Sequence, residues 1–213
     1  AGGGAGTLEQ SRAGAGGRGT QQLPGPRRAG EALEGVPEIE GATGPLPGLD
    51  DVVQKYAEDN GIPYSRQGAY VEVDEARAGR IAQAFEDMEN NADAPGVREA
   101  YDDMIRQTLA QYAALTEAGY TFSFMDPNND PYDGNGWNAM RDARENKHVA
   151  IFPTTAGFGT DADFDVSSNP MLAQTDILIP DAEGNMVPAL ANDIFRAVHD
   201  LLGHGIEGVG FRA

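Results

Sequence analysis

The stretch "APGVREAYDDMIRQTLAQYAALTEAGYTFSFM", residues 94–125, decides how the rest of the chain is read. Val97, Tyr101, Met104, Ile105, Thr108, Tyr112 and Leu115 recur at helical spacing and share one face, with Asp93 placed to cap the start and Gly119 to end it. The period then changes from that of a helix to that of a strand. Tyr120, Phe122 and Phe124 alternate with Thr121 and Ser123, as in a strand with one buried face.

Upstream, "LDDVVQKYAEDNG" places Leu49, Val52, Val53 and Tyr56 at helical spacing and stops at Asn60-Gly61. "YVEVDEARAGRIAQAFEDMEN" opens extended; Asp74 then caps a helix whose Ile81, Ala84, Phe85 and Met88 form a stripe, and antiparallel packing of two helices is the simplest way to cover it. Downstream, the turn-rich "DPNNDPYDGNG" leads to a short helix carrying Trp137 and Met140. Strands are expected at "HVAIF" (148–152) and "DILIP" (176–180), on either side of the loop "TTAGFGTDADFDVSSNP". Helices followed by strands with little alternation predict an α+β fold: a helical pair, a small mixed sheet and a C-terminal motif helix.

Residues 1–48 hold 14 of the 28 glycines, five of the 13 prolines and no aromatic residue. Such a stretch buries too little apolar surface to offset its ordering entropy, so it reads as a disordered, flexible linker or tail. Residues 49–213 are then expected to form a single α+β domain, truncated at its C-terminus, because the chain stops within a motif. The absence of cysteine excludes disulfides, thiolate metal sites and thiol nucleophiles, leaving His and carboxylate as metal ligands. With 34 acidic against 15 basic residues, the net charge of −19 opposes nucleic-acid binding. No run of the length needed to span a membrane occurs in the sequence.

Several chemistries lack their motif. "DPNNDPYDGNGW" starts like a calcium loop with Asp126, Asn128 and Asp130, then fails at Pro131 and Trp137, where glycine and glutamate are required. That loop, and the one carrying Asp161, Asp163 and Asp165, read as solvated turns. There is no phosphate-binding loop, and no G-x-S-x-G elbow for a serine nucleophile.

The chemistry concentrates in "ANDIFRAVHDLLGHG", residues 191–205, with Asp193 as a cap and Ile194, Val198, Leu201 and Leu202 as the apolar side. His199 and His204 are two of only three histidines. Five residues turn an ideal α-helix by about 140° beyond a full turn, so a straight helix would not aim both imidazoles at one point. Gly203 is expected to loosen or end the helix and let His204 swing back. Asp200 is expected to orient a neighbour, and His148 is a further ligand candidate if the fold brings it across.

H-D-x-x-G-H over residues 199–204 resembles the iron-ligand signature of the aromatic amino-acid hydroxylases. The resemblance implies that His199 and His204 bind non-haem Fe(II) together with a later glutamate. Glu207 is the only carboxylate just after the motif. Gly205-Ile206 and Arg196 depart from the family, which has Val-Pro after the second histidine and Asp in the place of Arg196. Over residues 49–213, "AYVEVDEARAGRIAQAFEDM", "FPTTAGFGTDADFDVSSNPMLA" and "NDIFRAVHDLLGHGIEGVGFRA" are similar to an uncharacterised domain of large phage-encoded multidomain proteins carried in virions or on mobile elements. That similarity implies further domains of a longer parent and phage virion proteins as partners. The expectation is a metal-dependent enzyme module, with Fe(II) or Zn²⁺ on His199, His204 and Glu207; the alternative is a non-catalytic structural or ejected component of a phage particle.

Overall fold

The computed structural model describes residues 44–65, 73–89, 91–157, 169–206 and 208. By internal contact the chain divides into 1–32 with 67–73, and 33–66 with 74–213; every element named below belongs to the second unit. Among the described residues the order is α1 (Leu49–Asp59), α2 (Glu75–Asp87), α3 (Pro95–Glu117), β1 (Thr121–Phe124), α4 (Gly136–Asn146), β2 (His148–Ile151), α5 (Thr154–Gly157), β3 (Gln174–Pro180), β4 (Met186–Leu190) and α6 (Ala191–Val198), which runs directly into a π-helical turn (His199–Gly205). The fold is α+β. Its strands form two separate pairs, β1 with β2 parallel and β3 with β4 antiparallel. None of the described helices is long and apolar enough to cross a membrane.

The helix-to-strand switch at 94–125 is present, with one local change. α3 begins at Pro95 with Ala94 as its N-cap, so Asp93 does not cap it; proline suits the first turn because its missing N–H would have no helical partner there. Gly119, at φ 90°, ends the helix and turns the chain into β1. Leu115 points inward from α3, Phe122 and Phe124 from β1, Val149 and Ile151 from β2, and Ile194 and Leu201 from the C-terminal segment. These side chains form the core.

α2 departs from expectation. Asp74 caps it as predicted, accepting from the Arg77 amide at 2.9 Å, yet the helix buries none of its residues. Ile81, Phe85 and Met88 are 59, 70 and 59% exposed, while α3 packs on α6 and α1 instead. The stripe identified an amphipathic helix correctly and carried no information about what would cover it.

At the other end of the fold, Leu46 is buried although composition groups it with the glycine-rich stretch. Its amide donates to the Gly205 carbonyl at 2.8 Å, and Arg144 donates to the carbonyls of Gly44 and Pro45. Two glycines just after the histidine motif admit this segment. A Cβ on Gly205 would stand 2.7 Å from Leu46 Cδ1, and one on Gly208, at φ 69°, would meet the Gly44 backbone at 2.1 Å.

Candidate functional site

Asp193 anchors the element that carries the motif. It is the third residue of α6, not the residue before it, and is only 3% exposed. One carboxylate oxygen accepts from the Leu190 amide and the other from the Thr154 amide, both at 2.8 Å, which ties the start of α6 to α5. Ile194, Ala197, Val198 and Leu201 hold the inner side against the core.

After Val198 the backbone changes from α to π. The Ile206 amide donates to the Leu201 carbonyl, five residues back, at 2.9 Å. With an extra residue in each hydrogen-bonded turn, side chains five apart lie much closer to one line along the helix than an α-helix allows. The His199 and His204 rings accordingly meet edge to face, with centroids 4.7 Å apart and planes at 85°. Gly203 does not end the helix here. It lies inside the π turn beneath the His199 ring, where a Cβ would stand 3.2 Å from Cδ2 and 3.5 Å from Nε2.

Both histidines line a cavity of about 640 Å³. Arg196 and Asp200 join them from the same segment, Tyr132 and Trp137 from the loop and α4 opposite, and Met125 and Phe152 from the ends of β1 and β2. An aromatic wall facing a few polar side chains is the usual make-up of a small-molecule site. Arg196 is held by donation to the Phe152 carbonyl at 3.0 Å, and Phe195 stacks on His199 at 6.2 Å between centroids. Asp200 lies 3.5 Å from His199 Nδ1. Burial pushes its carboxyl up to about 6, against the opposing pull of His199 and Arg196. It lines the cavity beside the histidines.

The donors present suit a divalent cation in part. Two imidazoles on one face are an accepted pair for iron or zinc, but among the described residues no group of three or more His, Asp or Glu is arranged to hold an ion. Glu207, the expected carboxylate, lies outside the described residues, as do Asp161, Asp163 and Asp165. In the other acidic loop, Asp126 Oδ1 accepts from the Asn128 amide and Asp130 from the amides of Tyr132 and Gly134, so both act as turn residues.

His148 does not join the pair. It opens β2, where Nδ1 lies 2.7 Å from Asp142 Oδ2 and Nε2 lies 2.9 Å from Ser123 Oγ. Tyr132 donates to the same Asp142 oxygen at 2.7 Å and accepts the Ala150 amide at 2.7 Å, covering the edge of β2 that β1 leaves open. Sequence reasoning missed Ser123, Tyr132 and Asp142. Their only sequence signal was polarity, since partners 25 and 10 residues apart form no local motif.

No protein-family model matches the chain, and neither a curated protein nor a solved structure shows significant similarity to it.

Proposed function

We propose that the chain is a metal-dependent enzyme module of a longer phage-encoded protein, with a mononuclear centre on His199 and His204. The observation that carries this reading is the π turn, which brings two imidazoles together at the wall of a cavity sized for a small molecule. π turns are rare and occur often at functional sites. Glu207 is the proposed third ligand, and Fe(II) or Zn²⁺ the proposed ion, since imidazole and carboxylate suit both. An ion held there supplies Lewis acidity or, as Fe(II), a site for oxygen chemistry. The chain's own part is then to bind and orient: Arg196 offers a guanidinium to an anionic group, and Trp137 and Phe152 offer apolar surface.

The test is metal content after anaerobic Fe(II) reconstitution, and separately after Zn²⁺, with the His199→Ala/His204→Ala double variant and Glu207→Gln in parallel. The expected result is about one ion per chain in the parent protein, none in the double variant and reduced occupancy in Glu207→Gln. No bound metal under either condition rejects the reading.

A second reading, a non-catalytic structural or ejected component of a phage particle, is supported by the exposed Ile81 and Phe85 on α2 and Met88 just past its end. It predicts that the histidines can be replaced with no loss of assembly, and that changes on that face abolish incorporation into particles.

A further inference from the structure

The hydrogen bonds around His148 have a fixed direction. The Tyr132 hydroxyl accepts the Ala150 amide, and its one proton goes to Asp142 Oδ2. Burial raises the phenol well above its ordinary range, so that proton stays in place. Asp142 must then accept, and it does so at Oδ1 as well, from Asn146 Nδ2 at 2.8 Å. Burial works against its charge, but the bonds from Asn146, His148 and Tyr132 outweigh it and hold the carboxyl below its usual range. An ionised Asp142 requires the N–H of His148 at Nδ1. In the neutral ring the lone pair is therefore at Nε2, 2.9 Å from Ser123 Oγ.

Nucleophile, base and orienting carboxylate stand in sequence, each within hydrogen-bond reach of the next. Ser123 and His148 share a sheet face because Ser123 pairs with Ala150, two residues beyond His148, while Phe122 and Phe124 fill the opposite face. The His148 side chain is 32% exposed and Asp142 20%, the gradient expected of a base open to solvent and a shielded orienting group.

We propose that Ser123 is an acyl-accepting nucleophile, activated by His148 with Asp142 and Tyr132 as positioning residues, and that it acts on small uncharged activated esters. Anionic donors are disfavoured by the net charge of −19. Ser123 Oγ bonds to the ester carbonyl carbon as its proton passes to His148 Nε2. The C–O bond breaks and the alcohol departs with that proton. Water then attacks the acyl-serine, giving a proton to Nε2 that returns to Oγ, and the carboxylic acid is released. The absence of a nucleophile elbow excludes one common setting for such a serine and leaves this assembly from two strands and a helix untouched.

The probe is an alkyl fluorophosphonate on the full chain, read by intact mass and peptide mapping. The expected result is one adduct at Ser123, with fluoride displaced, none in Ser123→Ala, and labelling at least tenfold slower in His148→Gln with unchanged circular dichroism. No adduct at Ser123, or equal labelling in a folded His148→Gln, overturns the proposal and leaves a purely structural network. Should His148→Gln not fold, Ser123→Cys decides: alkylation of the introduced thiol by iodoacetamide faster than that of free cysteine at pH 7 supports activation, and an equal or slower rate overturns it.

Discussion

His148 and the His199/His204 pair occupy opposite kinds of surroundings. His148 has protein partners at both ring nitrogens, at 2.7 and 2.9 Å, and its carboxylate partner is further fixed by Tyr132 and Asn146. His199 has a side chain 53% exposed, and among the described residues its nearest acid stands 3.5 Å away and its closest ring contact is another imidazole. One histidine is locked in a single tautomer by a network reaching into the sheet. The other two stand on a wall facing a cavity. Sequence spacing drew attention to the pair and passed over the network, yet the network is bound more tightly into the fold.

The largest effect is expected at Asp142. Asp142→Ala removes the acceptor for three donors and leaves Tyr132 and His148 without their shared partner, which should cost about 3 kcal/mol; urea unfolding measures it. A loss under 1 kcal/mol would mean that the network is peripheral.

Asp200 acts in the other direction. Its carboxyl is raised by burial, so the folded state holds a proton that the unfolded state releases. In the metal-free protein the contribution of Asp200 to stability should be fully present below the ordinary carboxylate range near pH 4 and be lost as the pH rises through about 6. Asp200→Asn should therefore add roughly 2 kcal/mol at pH 7 and flatten the slope between pH 4 and 7. A variant that is less stable at pH 7 would show that the charged form is favoured by its surroundings.

Gly205→Ala forces a methyl to within 2.7 Å of Leu46 Cδ1 and should cost about 1–2 kcal/mol, whereas Gly44→Ala on the opposing segment meets open space and strains only its φ of 68°. The comparison of melting temperatures separates close packing from backbone strain. The smallest effect is expected at His199: with half its side chain in solvent, His199→Ala should change stability by about 0.5 kcal/mol or less while abolishing the proposed metal binding.

The helix and strand at 94–125 were legible because periodicity is a local property and the burial of Leu115, Phe122 and Phe124 follows it. The face of α2 was equally legible, but its surroundings were not, since a stripe records an amphipathic helix and says nothing about its partner. For the motif, spacing posed the right question and α-helical geometry gave an incomplete answer. Gly203 was expected to loosen or end the helix and let His204 swing back; the helix does not end there but widens into a π turn, and the glycine makes room for the His199 ring. Leu46 was hidden in a stretch whose composition resembles a linker. Ser123, Tyr132 and Asp142 come together only through the pairing of β1 with β2 and the placement of α4, which no short window of sequence contains.

That a π turn brings the His199 and His204 rings edge to face is tested most directly by NMR of the histidine rings in selectively labelled protein. A nuclear Overhauser effect is expected between the rings of His199 and His204, whose centroids are 4.7 Å apart. Gly203→Ala should weaken this cross-peak, because the added methyl displaces the His199 ring. A wild-type spectrum with no such effect, and with the amide contacts of an unbroken α-helix through 199–205, would put the two imidazoles on different faces and rule out the π turn.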